Sequence, residues 1–237
     1  MFPLYSDRPL SRFPFVTVLL IVANTVVYLF QVTGQGSIER TVMLYGMIPY
    51  DLFHPGALNL PGRLPASYTV VTSMFSHGGF LHLGANMLYL WAFGRNVEDD
   101  FGRVRFLIFY LAAGIIANFA FAAAFPAGTI PLVGASGAVA GVLGVYFLRF
   151  PLSRIYCLFI LLIFVRIIPI PAFVLLGVWF VFQLSASMTS AAASVGASGH
   201  GGIAWITHVA GFVVGIVWTI LELRRRYYLR RIINKNK

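Results

Sequence analysis

The 237-residue sequence predicts an all-α membrane protein, a bundle of six transmembrane helices with both termini cytoplasmic. Two observations set the class and a third sets the topology. Residues are 59% hydrophobic and 10% charged, against about 25% charged in a soluble domain, and mean hydropathy is +0.85. Six apolar segments reach the roughly 17–25 residues a spanning helix needs. With a cytoplasmic N-terminus and six crossings, all of the 17 Lys and Arg residues except Arg40 and Arg63 face one side. That is the positive-inside pattern.

The spans are expected near Phe15–Val32, His77–Phe93, Phe106–Phe125, Pro131–Leu148, Pro171–Ser187 and Ile203–Leu221. Together they make one membrane domain over residues 1–223, followed by a basic tail, Arg224–Lys237. The first run follows only Arg8 and Arg12 and lacks a small-x-small cleavage site, so it reads as a retained span. The outer loop Thr33–Ser76 carries Pro49, Pro55, Pro61 and Pro65 but is apolar enough to lie partly in the outer leaflet. Ile155–Val165, between Arg154 and Arg166, is too short to cross and is expected at the interface or against the bundle. It holds the single cysteine, Cys157, which excludes an internal disulfide and serves as a small apolar residue. A second outer loop, Ala186–Gly202, has the Ser/Ala/Gly composition of a mobile segment and suits a gate.

The net charge of +10 invites a nucleic-acid partner, but its distribution favours anionic lipid. The expected partner is therefore the bilayer, with the tail as a cytoplasmic anchor, and no nucleic acid.

Polar residues inside apolar runs need a reason, because lipid penalises them unless they are paired or line a wet cavity. Ser136 stands in Gly134-Ala135-Ser136-Gly137, and His82, Asn86 and His208 lie in two other runs. The second, fourth and sixth spans all start on the outer side. His82, Ser136 and His208 each come about five residues in, roughly 7–8 Å of helix. Asn86 follows His82 at i, i+4, on the same face. Gly137-x-x-x-Gly141 and Gly211-x-x-x-Gly215 have the spacing of close helix packing and would draw Ser136 and His208 together.

The chemistry that fits is hydrolytic. A Ser hydroxyl needs a base to become a nucleophile, and His is the usual one. The backbone N–H of Ser136 and the side chains of His82 and Asn86 suit an oxyanion site. All seven carboxylates (Asp7, Glu39, Asp51, Glu98, Asp99, Asp100, Glu222) lie outside the spans or at their cytoplasmic ends, so the expectation is a Ser–His dyad and not a triad. Each residue alone has a plainer reading: a membrane Ser bonds back to a carbonyl one turn earlier, and a lone His bridges helices or relays protons. His82 with Asn86 resembles part of a metal site, but no carboxylate or thiolate shares their depth and His-Glu-x-x-His is absent, so neither metal nor cofactor is expected. His77 belongs at the interface with a structural hydrogen bond, while His54 and His200 are loop residues. A channel or transporter would want embedded charge pairs or broken helices near the midplane, and neither is evident.

From about Tyr45 to Gly215 the sequence also resembles the rhomboid intramembrane serine proteases. His77-Gly-Gly-Phe-Leu-His82-Leu-Gly-Ala-Asn86 is similar to the family's second-span motif, with His82 and Asn86 in oxyanion positions. Gly94-Arg-Asn-Val-Glu98-Asp-Asp-Phe-Gly102 resembles the following turn, whose Glu is structural. Gly134-Ala-Ser136-Gly137 matches Gly-x-Ser-Gly, and His208-Val-Ala-Gly211-Phe-Val-Val-Gly215 matches the motif of the base. The resemblance implies the rhomboid six-helix bundle, with a water-filled cavity open to the outer side. Ser136 would be the nucleophile and His208 the base, and the substrate a transmembrane protein whose helix enters past the fifth span beneath the Ala186–Gly202 loop. The expected location is a prokaryotic inner membrane. The rival within the family is a catalytically silent relative that binds transmembrane clients, and such proteins have usually lost the Ser or His present here. Tyr68-Thr69 stands where the best-known members have a loop-bracing Trp-Arg pair. Ala140 stands where some have an aromatic stacked on the base.

Overall fold

The structure, a computed structural model, describes residues 2–34, 37–58, 60–161, 164–193 and 204–235. Apolar runs set the long helices, and prolines and glycines set where they stop. Helix α1 (Phe15–Thr33) follows Pro14, which cannot cap it with a side chain. Its start is held instead by Glu98, whose carboxylate accepts from the backbone N–H groups of Val16 (2.9 Å) and Thr17 (2.7 Å) and from the Thr17 hydroxyl (2.8 Å). A buried carboxylate there also faces the positive end of the helix dipole. Helix α5 (Phe80–Tyr89), a π-turn (Leu90–Gly94) and α6 (Arg95–Phe101) run on without a break in helical backbone. Gly102 ends the run in the left-handed region (φ +79°), and α7 (Arg103–Ala124) starts at the next residue.

Helix α8 (Ser136–Arg149) is the centre of the molecule, with every residue from Gly137 to Tyr146 buried. It packs against α7, α9 (Ala172–Ala193) and α10 (Ala204–Lys235). Backbones of α8 and α10 nearly touch. A Cβ built on Gly211 or Gly215 would collide with the carbonyl oxygen of Gly137 or Gly141, and one on Gly144 with that of Phe212. Among the described residues, three helical stretches, Phe15–Thr33, Arg103–Ala124 and Trp205–Tyr227, are long and apolar enough to cross a membrane, and Ser136–Arg149 and Ala172–Met188 are shorter apolar helices. Leu19, Val22, Val26 and Phe30 on α1, and Val174, Val178, Val181 and Phe182 on α9, point outward. Apolar surface on this scale belongs against lipid.

Four expectations need correction. The fold is mostly helical but not all-α: the segment expected at the interface forms a β-hairpin, β2 (Arg154–Leu161) and β3 (Phe164–Pro171), and β2 also pairs with β1 (Phe2–Ser6). Successive side chains of β2 point to opposite faces, and Ile155 and Cys157 are buried on one of them. Pro169 and Pro171 fall on β3, an edge strand, where a missing N–H is tolerated. The fourth apolar run is not helical throughout, because helix begins only at Ser136. Pro131 and Gly134 (φ +122°) keep the approach extended, with Leu132 bridged to Met47. The outer segment Thr33–Ser76 is not a bare loop and carries α2 (Ile38–Tyr45), α3 (Pro49–Phe53) and α4 (Ala66–Thr72). Finally, α9 continues to Ala193, so the first half of the Ala186–Gly202 segment is helix. The remainder of that expected loop lies outside the described residues.

Arg63 holds the outer segment together. Its buried guanidinium donates to Asp51 (2.8 Å) and to the carbonyls of Met43 and Gly46 (3.2 Å for the latter). Met47, the next residue, bonds Leu132 in both directions at 3.0 and 2.7 Å. The brace therefore passes directly into the strand-like stretch that delivers Ser136.

Candidate active site

Ser136 is aimed by the two residues before it. Gly134 adopts φ +122°, a region that strains any side chain, and a Cβ there would lie 2.7 Å from Cε1 and Nε2 of the His82 ring. Its N–H donates to the carbonyl of Ser73 at 2.8 Å. Asn118 on α7 secures that anchor by donating to Val70 O (2.8 Å) and to the Ser73 hydroxyl (3.1 Å). Non-helical backbone within an apolar interior survives only when its polar groups are met in this way. Ser136 is then the first residue of α8, an end that no side chain caps and that has no acid in its first turn. The N–H groups and partial positive charge of a helix N-terminus are thus presented beside the hydroxyl.

His82 is the third residue of α5, and Asn86 follows one turn later, its amide donating to the His82 carbonyl at 3.1 Å. His208 sits one turn into α10. Ser136, His208, His82 and Asn86 line one cavity of about 200 Å³, together with Tyr89 and Trp179. Among the described residues no hydrogen bond joins Ser136 to His208, and no carboxylate lines this cavity. Nδ1 of His208 lies 2.7 Å from Oε1 of Gln183 on α9. The imidazole is flanked by Trp179 (centroids 6.0 Å apart, planes at 36°) and Trp205 (6.1 Å, 88°).

Around the cavity, small residues set the spacing. A Cβ on Gly137 would come 2.8 Å from Thr207 Cγ2 and 2.9 Å from Ala117 Cβ, and one on Gly141 would come 2.7 Å from Ala113 Cβ. His77 is fully buried with its ring edge-on to His82, centroids 5.2 Å apart. Its backbone, not its ring, makes the hydrogen bonds: the N–H donates to Gln31 Oε1 (3.0 Å) and the carbonyl accepts from Gln31 Nε2 (3.4 Å). Glu98 and Gly102 lie away from the cavity, at the start of α1 and the α6–α7 elbow.

Sequence reasoning overlooked Gln183, Trp179, Gln31, Asn118 and Gly144. For Gln183, Gln31 and Asn118 the signal was present, since each is a polar residue within an apolar run and satisfies the criterion that singled out Ser136. Gly144 extends the glycine series of α8. For Trp179 nothing in the sequence separates it from other apolar-run aromatics. Among the described residues no group of three metal-ligating side chains gathers.

A family model described as the Rhomboid domain matches residues 65–225. The chain is 32% identical over 171 residues to Rhomboid protein 1, mitochondrial, of Saccharomyces cerevisiae, covering 69% of this chain and 45% of the relative. It is 34% identical over 120 residues to Rhomboid protease GluP of Bacillus subtilis, covering 49% and 21%. The human presenilin-associated rhomboid-like protein, mitochondrial, is 32% identical over 144 residues, covering 60% and 34%. The matches span less than half the length of each of these three relatives.

Proposed function

The chain belongs to the rhomboid family of integral membrane proteins, and on that premise we propose that it is an intramembrane serine endopeptidase using Ser136 and His208 as a dyad. The observation that carries the reading is the shared cavity: a hydroxyl, two imidazoles and an amide, drawn from α5, α8 and α10, line one space in a largely apolar body. Ser136 attacks the scissile carbonyl as His208 takes its proton. The helix N-terminus at Ser136, with His82 and Asn86, stabilises the oxyanion. His208 then gives the proton to the leaving amine, and water releases the acyl group by the same steps in reverse order. The Ser–His hydrogen bond closes when substrate binds, a common change from the empty state.

The substrates are transmembrane helices, unwound near their outer ends, because an intact helix hides its carbonyls in hydrogen bonds. Six spans are supplied by α1, α5 through α6, α7, α8, α9 and α10, with both termini on the arginine-rich cytoplasmic side of a prokaryotic inner membrane. The fourteen residues of α8 rise about 21 Å, short of a hydrocarbon core of roughly 30 Å. That length supports a Ser136 within the outer leaflet, with Arg149 anchoring α8 at the cytoplasmic face.

The test needs no natural substrate. A fluorophosphonate labels Ser136 in the reconstituted protein, and Ser136→Ala and His208→Ala each abolish labelling and cleavage of a transmembrane test substrate while the fold survives. Cleavage at the original rate by either variant refutes the dyad. Absence of labelling in the unaltered protein favours a client-binding relative without catalysis.

A further inference from the structure

An imidazole acts as a base through one nitrogen only if the other holds the proton. In a triad a carboxylate imposes that tautomer, but among the described residues no carboxylate lines this cavity. Among the described residues, the hydrogen-bonding group at the ring is the Gln183 side chain, nearly fully buried, with Oε1 2.7 Å from Nδ1 of His208. An amide oxygen accepts and cannot donate, so Nδ1 carries the hydrogen and Nε2 is left with its lone pair. We propose that Gln183 is the positioning residue of this site, fixing the tautomer and orientation of His208 from helix α9. The inference rests on the dyad reading.

Three further observations support it. Trp179, one turn before Gln183, places its indole on the same imidazole and packs on Phe212, one turn after His208 (centroids 6.0 Å apart). One face of α9 thus supplies a hydrogen bond and an aromatic wall to one ring. Residue 140 does not supply the wall: Ala140 packs toward α10, its Cβ 3.2 Å from the position a Cβ on Gly211 would take, which leaves no room there for an aromatic ring. The third observation is chemical. An unpaired carboxylate in an apolar interior carries a large desolvation penalty, whereas a neutral amide accepts the same hydrogen bond at a fraction of it.

The experiment compares Gln183→Met, of similar length but with no acceptor oxygen, with Gln183→Glu, which keeps one. On a reconstituted transmembrane substrate, Gln183→Met lowers kcat roughly 10- to 100-fold with KM almost unchanged. Gln183→Glu recovers most of that loss. Histidine-selective 15N NMR of the full chain, with the His208 resonance identified by its loss in His208→Ala, shows the Nδ1–H form in the unaltered protein and a mixture in Gln183→Met. Original kcat in Gln183→Met overturns the proposal, as does an Nε2–H form in the unaltered protein or an unshifted tautomer in a slowed variant. If Gln183→Met does not fold, the tautomer of the unaltered protein and the kcat of Gln183→Glu still decide. Cleavage surviving in Ser136→Ala would instead refute the dyad, so the two failures appear in different variants.

Discussion

Adding one methyl group at Gly211 would separate α10 from α8 at the level of the cavity. Gly211 lies three residues after His208, and its Cβ would collide with the carbonyl oxygen of Gly137, one residue after Ser136. That oxygen is helix backbone and cannot swing aside, so the helices must part. A carbon needs about 3.3 Å from a carbonyl oxygen, and restoring this takes a shift on the order of 1 Å. A displacement of that size at a reacting centre costs roughly 100-fold in rate. The same overpacking destabilises the fold by about 1–3 kcal/mol, which for a chain of this length lowers Tm by about 2–4 °C per kcal/mol. The assay is kcat on a reconstituted transmembrane substrate, alongside the rate of fluorophosphonate capture and thermal unfolding in detergent. Gly177→Ala on α9 is the control: its Cβ meets only Phe147 Cε2, at 3.8 Å, an ordinary contact. Gly211→Ala with unchanged kcat and Tm would refute the argument that backbone contact sets the Ser136–His208 separation.

Two further predictions concern supports remote from the cavity. Glu98→Ala strands two backbone N–H groups at the start of α1 and costs about 3 kcal/mol or more, read as a lowered Tm with kcat nearly intact well below it; an unchanged Tm would show that the cap contributes nothing. Arg63→Met leaves the buried Asp51 carboxylate unpaired, at a cost of about 3–5 kcal/mol. Adding Asp51→Asn to it recovers part of the loss, and a double variant no better than Arg63→Met alone would exclude the ion pair as the cause.

Much of the class was legible in the sequence because lipid is a demanding solvent. Long apolar runs, few charges and a one-sided arginine distribution identify an integral membrane protein without reference to contacts. Polar residues stranded in those runs point to an internal site for the same reason. The Gly-x-Ser-Gly and His-x-x-Gly-x-x-x-Gly patterns add the family. Where the reading failed, local pattern was competing with tertiary pairing. Ile155–Val165 is apolar and short, and periodicity alone does not separate an interfacial helix from a strand; β1, more than 140 residues earlier in the chain, decides by pairing with β2. Ala186–Ala193 has loop composition yet continues α9, because small residues tolerate helix as readily as coil.

The sequence by itself determined the solvent, the family and the identity of Ser136, His208, His82 and Asn86 as candidates, since each follows from residue chemistry measured against lipid. Only the tertiary structure decided how they are held. Ser136 opens α8 instead of lying five residues inside a span, because Gly134 takes a backbone conformation and fills a space beside His82 that no side chain fits. Gln183 reaches His208 across 25 positions of sequence. Such a contact depends on two helices meeting at one height, which no local pattern encodes.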